Sequence, residues 1–514
     1  MKRTEQILFF VFVILYLLPV LLHAFYPTLD GPSHLYNSGI IDQLLFYPSS
    51  AAHDFFMMNP SPEANWSGHF LLALFNLFLP AFLSEKLLLV IYIVGITYSF
   101  RYLIRTMSPA NNIGSWLIFP FIYSFPFCIG FWNFCLAIPI LFLTTAYFIR
   151  NENRLNIRHG LILALLFLLL YFSHLMVLLL AFLFLGMMIA SNLFSSVTRT
   201  GLIRKIIFLI AAGFPAFILS VYFMVKNSGT HDRSVFLETS QLVNWILNIN
   251  PIITINHEVE QAFTIPIRIA FVAMFMYIIY CRMKNKIFLK KGDVWFLACI
   301  FLTILYFVTP DELSSGGFVS IRILLFFFLT LILWFAIQPA NKMVVIIFVG
   351  ICVLPNLLFL RYHYQQASVL CEEVLEITSA ADHIEKNSVV LPLNYSDNWL
   401  HSNLSDYIGA TKQILMLDNY EAAKPHFPTC WKPGMIPYGV IGDFATSNHP
   451  CIDVPAYEKV TGKTIDYILK WYYRGDMKDS CSLDLNKFLD REYVSVYCSS
   501  GGKVLLFKKR QELH

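Results

Sequence analysis

An acidic residue thirty positions from the start stands in the segment Tyr26-Pro-Thr-Leu-Asp30-Gly-Pro-Ser-His34-Leu-Tyr36-Asn37, directly after the first apolar run of the chain. Pro32 suits the first turn of a helix, so Asp30 can cap a helix reaching about Leu45. The same carboxylate, with His34 on the following turn, is equally placed to take a proton from an incoming hydroxyl. Cations able to meet an anion are sparse in the later part of the apolar region, where Lys226, Arg233, Arg268 and Arg322 stand apart from the basic clusters. Arg322 opens an apolar run, and an arginine there faces a cavity or an anionic group, or else snorkels back to lipid headgroups. Arg233 serves the same end or pairs with Asp232. His174 falls between two short apolar runs, where its ring either satisfies backbone groups left open by a helix break or contacts a ligand. In Gly130-Phe-Trp132-Asn133, the amide of Asn133 can bond a ligand hydroxyl while Trp132 stacks beside it or anchors at a membrane interface.

These residues are set in a chain of 514 residues that is 57% hydrophobic and only 14% charged, with a mean hydropathy of +0.61. A soluble enzyme, a disordered chain and a nucleic-acid binder are all excluded by that composition. Apolar runs at about 7–25, 86–104, 113–129, 134–149, 160–172, 175–192, 206–224, 266–281, 294–309, 320–338 and 343–360 predict about 11 transmembrane helices. The fold class expected is therefore an α-helical polytopic membrane protein. Trp66–Phe82 is also apolar but short and interrupted by Gly68, His69 and Asn76, so it is expected to lie along the outer leaflet.

Charge placement orients the spans. Of the 21 Lys and Arg before position 361, 16 fall in clusters on one face if the eleven runs each cross once, and Asp30, Asp42, Asp54, Glu63, Glu85, Asp232 and Asp311 fall on the other. Basic loops mark the cytoplasmic side. The N-terminus is then cytoplasmic, residues 26–85 form a first exoplasmic loop within a membrane domain of residues 1–360, and residues 361–514 form an exoplasmic α/β domain. In that last domain 389–393 and 494–498 read as strands, and stretches near 370–386 and 455–472 read as helical. Its cysteines allow Cys430–Cys451 and Cys481–Cys498 pairs, with Cys371 left over, among other pairings. No CxxC or His-rich spacing suggests a zinc site. Asn394–Trp399 and Asp418–Glu421 read either as turns or as carbohydrate-recognition segments.

This layout resembles glycosyltransferase superfamily C, polytopic membrane glycosyltransferases that include protein O-mannosyltransferases and aminoarabinose transferases. The architectural likeness covers about the first 360 residues. Asp30 corresponds to the acid of the family's first loop, with Asp30-Gly31 where an acidic pair is frequent. Asp30-Gly-Pro-Ser-His34, Gly130-Phe-Trp-Asn133-Phe, Ser173-His174 and Asp418-Asn-Tyr-Glu421 look like segments of bacterial members. The resemblance implies transfer of a sugar from a polyprenyl-phosphate donor to a glycan, lipid or protein acceptor, at the periplasmic face of a bacterial inner membrane. Asp30 is then the catalytic base, and His34, Asn133, His174, Arg233 and Arg322 are the substrate-binding residues. Several relatives carry a second, metal-binding acid where Asn133 stands, and a carboxamide holds divalent cations weakly, so no metal or other cofactor is expected. Two other functions share these features: a lipid-linked glycan flippase, and a catalytically inactive glycan-assembly protein.

Overall fold

A computed structural model describes residues 2–109, 112–192, 198–227, 234–287, 290–312, 316–442, 452–472 and 480–510. Arg233, Asp232 and Cys451 lie outside the described residues. Packing divides the chain into two compact units, one formed by Met1–Leu18 with Val90–Tyr364 and the other by Pro19–Leu89 with Gln365–His514.

Among the described residues, eight helices are long and apolar enough to cross a membrane, as expected for an integral membrane protein. Two shorter ones, Ile157–Ser173 and Leu175–Ser191, match the expected pair around His174. The apolar run at 113–129 departs from expectation. It folds as a 3₁₀ segment, Asn112–Phe121, followed by one turn of helix, Phe125–Cys128, because Pro120 and Pro126 interrupt regular backbone bonding. The Arg199–Asn227 helix turns Ile207, Ile210 and Phe214 outward at 57–63% exposure, an apolar face suited to lipid. Charged clasps close helix ends in this first unit. Arg101 grips Glu5 through two 2.7 Å bonds, Arg282 grips Asp293 in the same way, and Glu152 takes Lys205 at 3.0 Å and Lys291 at 2.8 Å.

The second unit carries the strands β1 (Phe56–Met58), β2 (Val389–Asn394), β3 (Leu415–Met416), β4 (Thr429–Trp431), β5 (Tyr467–Trp471), β6 (Tyr493–Cys498) and β7 (Val504–Lys509). Five of them form a mixed sheet in the order β3-β2-β5-β7-β6, with β2 parallel to both neighbours and β7 antiparallel to β5 and β6. Pro392 is tolerated inside β2 because β3 pairs only with Val389 and Val390, so no ladder bond is lost on that side. The stretch 455–472, expected to be helical, is a helix only over Val454–Thr461. Gly462, at φ 65°, ends it in a left-handed cap, and the chain re-enters as the buried strand β5. Cys498 carries a free thiol, so the Cys481–Cys498 pair does not form, although Cys481 is disulfide-bonded.

The 26–85 segment belongs to this unit. The Ser67–Asn76 helix has 10 residues, about half the length needed to cross a membrane. β1 pairs antiparallel with β4, setting Phe56 opposite Trp431. The Gly31–Phe46 helix packs on Asp406–Thr411 so closely that a Cβ at Gly409 would lie 2.5 Å from the Tyr36 ring and 2.8 Å from Met416 Cγ. Gly409→Ala should therefore destabilise the protein by about 1–3 kcal/mol through overpacking. Gly186→Ala, which points into open space, serves as the control. Thermal unfolding of the full chain in detergent reads both, and an unchanged midpoint for Gly409→Ala would contradict this packing.

Candidate functional site

Helix Gly31–Phe46 brings Asp30, Ser33, His34 and Asn37 to one polar cluster of the second unit. Asp30 occupies the N-cap position, yet its side chain makes no capping bond. Thr28 Oγ1 accepts from Gly31 N at 3.1 Å instead, and the Tyr420 hydroxyl donates to the Asp30 carboxylate. The capping alternative is thereby corrected: Thr28 has taken the side-chain capping bond and the carboxylate faces Tyr420. Asp30 remains partly exposed, whereas Asp406 and Glu421 in the same cluster are buried.

His34 lies on the buried side of the helix, one turn beyond Asp30. Its Nδ1 meets the Glu421 carboxylate, and the Nε2 of His69 meets the other oxygen of that carboxylate at 2.9 Å. Burial alone raises the Glu421 carboxyl, but the two imidazoles outweigh it and hold the group down at about 2. Asn37 and Asn419 exchange amide hydrogen bonds of 2.9 and 3.0 Å, and Ser33 donates to Asp406. Asp418 accepts from Ser405. Burial pushes the Asp418 carboxyl up to about 7 and the Asp406 carboxyl well above the usual range, the latter helped by the neighbouring Asp418. Segment Asp418–Glu421 is therefore more than a turn, since Asn419, Tyr420 and Glu421 all bond to the helix side. Asn394–Trp399 is turn chemistry: Asn394 Oδ1 accepts from Ser396 N at 3.0 Å.

The first unit holds the other site residues. Leu175–Ser191 begins where Ile157–Ser173 ends, and His174 bridges the break. Its amide donates to Leu170 O at 2.7 Å, and its carbonyl accepts from Val177 at 3.0 Å and Leu178 at 3.1 Å. The break is thus closed by the backbone, and the ring reaches towards the first turn of Val319–Ala336, where its Nε2 lies 3.2 Å from Nη1 of Arg322. The Arg322 guanidinium stacks over Phe131 at 4.1 Å from the ring centre, and Phe134 packs edge-on against His174 at 5.1 Å. His174 and Arg322 are thus brought together. Asn133 is buried in the adjacent first turn of Trp132–Asn151. Trp132 is 2% exposed, so its ring is packed within the first unit and is not set out at a membrane interface.

His69, Asp406, Tyr420 and Glu421 join the site beyond the residues expected from local spacing. Only two signals pointed to them: His69 interrupts an apolar run, and Glu421 closes the Asp418–Glu421 motif. Comparison with models of known protein families and with curated protein sequences gives no match.

The raised carboxyls of Asp42 (pushed up to about 7 by burial), Asp406 and Asp418 bind protons in the folded chain that the unfolded chain releases near pH 4. Their contribution is most favourable at and below pH 4 and is lost as pH rises through about 7. Glu421 acts oppositely, stabilising above its unfolded value near 4.5 and losing that contribution as pH falls towards 2. The summed contribution of these four groups to thermal stability should therefore be highest near pH 4 and fall towards pH 7. Asp418→Asn should flatten that fall by about 1–3 kcal/mol, and an unaltered slope would show that Asp418 titrates normally.

Proposed function

We propose that the chain is a membrane glycosyltransferase that moves a sugar from a polyprenyl-phosphate donor to an acceptor hydroxyl on the exoplasmic face, with Asp30 as general base. The observation that carries this reading is a partly exposed carboxylate fixed by Tyr420 at the edge of an otherwise buried polar cluster. Such a group can meet an acceptor while its orientation is set from behind. The acceptor oxygen attacks the anomeric carbon on the face opposite the phosphate, so the configuration inverts. The carbon–oxygen bond to phosphate breaks, its electron pair leaves with the phosphate oxygen, and the acceptor proton passes to Asp30. Within the first unit, Arg322, held by His174 and the face of Phe131, keeps its proposed role as a contact for a lipid phosphate. His34 belongs to the clasp on Glu421 and supports Asp30 from the next turn, while Asn133 offers an amide to a sugar hydroxyl. Arg233 keeps its proposed role as a second phosphate contact.

Purified full-length protein given radiolabelled polyprenyl-phosphate sugars and an extract of envelope acceptors should transfer label. Asp30→Asn keeps an acceptor for the Tyr420 hydroxyl and should lower turnover by about 10²–10⁴-fold with an unchanged unfolding midpoint. Normal turnover in that variant would remove Asp30 from the chemistry. Lipid crossing of liposomes without covalent change would instead favour a flippase, and glycan binding without either event an assembly role.

A further inference from the structure

We propose that His34, His69 and Glu421 form a zinc site built between the Gly31–Phe46 helix, the Ser67–Asn76 helix and the turn that follows Tyr420. Each residue offers one ligand atom, and these atoms all lie within 4.8 Å of one another. The donors are His34 Nδ1, His69 Nε2 and a Glu421 carboxylate oxygen. All three side chains are buried, His69 and Glu421 completely. The two rings stand 4.6 Å apart at 71° to each other, each aiming one nitrogen at the same carboxylate.

Three lone-pair donors turned inward need something positive among them. A divalent cation set among the three would take a lone pair from each ring and from the carboxylate, and the convergence of one atom from each residue on one small volume is the arrangement such an ion requires.

The donor set selects the ion. Two imidazoles and one carboxylate, without a thiolate, suit Zn²⁺, and three protein ligands leave a fourth position for water or substrate. The site shares His34 with the sugar-transfer reading but does not rest on it, because zinc occupancy is measured without turnover. Its ligands come from chain positions far apart, so it has none of the short spacings by which zinc sites are recognised in sequence.

Full-length protein, purified through a tag free of histidine, loaded with zinc chloride and desalted, should retain one zinc per chain by elemental analysis. X-ray absorption should show a nitrogen/oxygen shell at about 2.0 Å with imidazole scattering and no sulfur shell near 2.3 Å. Glu421→Gln and His69→Gln should each weaken zinc binding on the order of 100-fold or more. Folded wild-type protein that retains no zinc, a sulfur shell, or unchanged affinity in either folded variant would overturn the site. Should both variants fail to fold, the wild-type metal content and absorption spectrum still decide it.

Discussion

A polar helix buried on nearly every side is the constraint around which the second unit is organised. In Gly31–Phe46, the residues Ser33, His34, Asn37, Ser38 and Asp42 are all buried together with Leu35, Tyr36, Ile40 and Ile41. A helix with one wet face would turn that polar set outward. Here each polar group has to find a partner inside, because a buried polar atom left unsatisfied costs about 1–3 kcal/mol. The partners come from both stretches of the unit: Asn76 donates to Ser38 at 2.9 Å, Thr429 donates to Asn37, and Met416 N donates to the Tyr36 hydroxyl at 2.9 Å. Apolar packing alone would tolerate a shift of these segments. A reciprocal amide pair such as Asn37–Asn419 does not, since displacement leaves several groups unbonded at once.

What could be read from the sequence was whatever depends on local spacing. The long apolar helices announce themselves by length and composition, and the helix after Asp30 by Pro32. The run at 113–129 is as apolar as its neighbours, but length and hydropathy do not register what Pro120 and Pro126 do to backbone bonding. The stretch 455–472 misled for a related reason. Its helix stops at Gly462, and the following Tyr-Ile-Leu-Lys-Trp has no alternation because β5 is buried on both faces, Lys470 included, whose Nζ bonds Asn486 at 2.7 Å. The polar cluster was legible only in pieces. Asp30 and His34 are one turn apart, whereas His69 and Glu421 are separated by 352 positions, and nothing along the chain indicates that they meet.

The arginines of the first unit show how different surroundings give one side chain different work. Arg101 and Arg282 each hold a carboxylate through two 2.7 Å bonds, a planar match that fixes the ends of helices. Trp116 and Trp334 complete those clasps by donating to Glu5 and Asp293. Arg322 lies against the face of Phe131 and beside a ring nitrogen of His174. A ring face attracts the guanidinium by about 0.5–2 kcal/mol and orients its plane without delivering a negative charge. The His174 side chain therefore has a neighbour of its own in Arg322, apart from the backbone bonds that close the helix break.

Charge in the second unit is sorted by burial. Asp406 is buried beside Asp418, and two such carboxyls cannot both be ionised cheaply in that environment, so protons are retained there near neutral pH. Glu421 is ionised, but its charge is taken up by His34 and His69. The acids behind Asp30 are thereby either neutral or matched, and they add little repulsion to a charge at the cluster's edge. Tyr420 adds a donor to that edge.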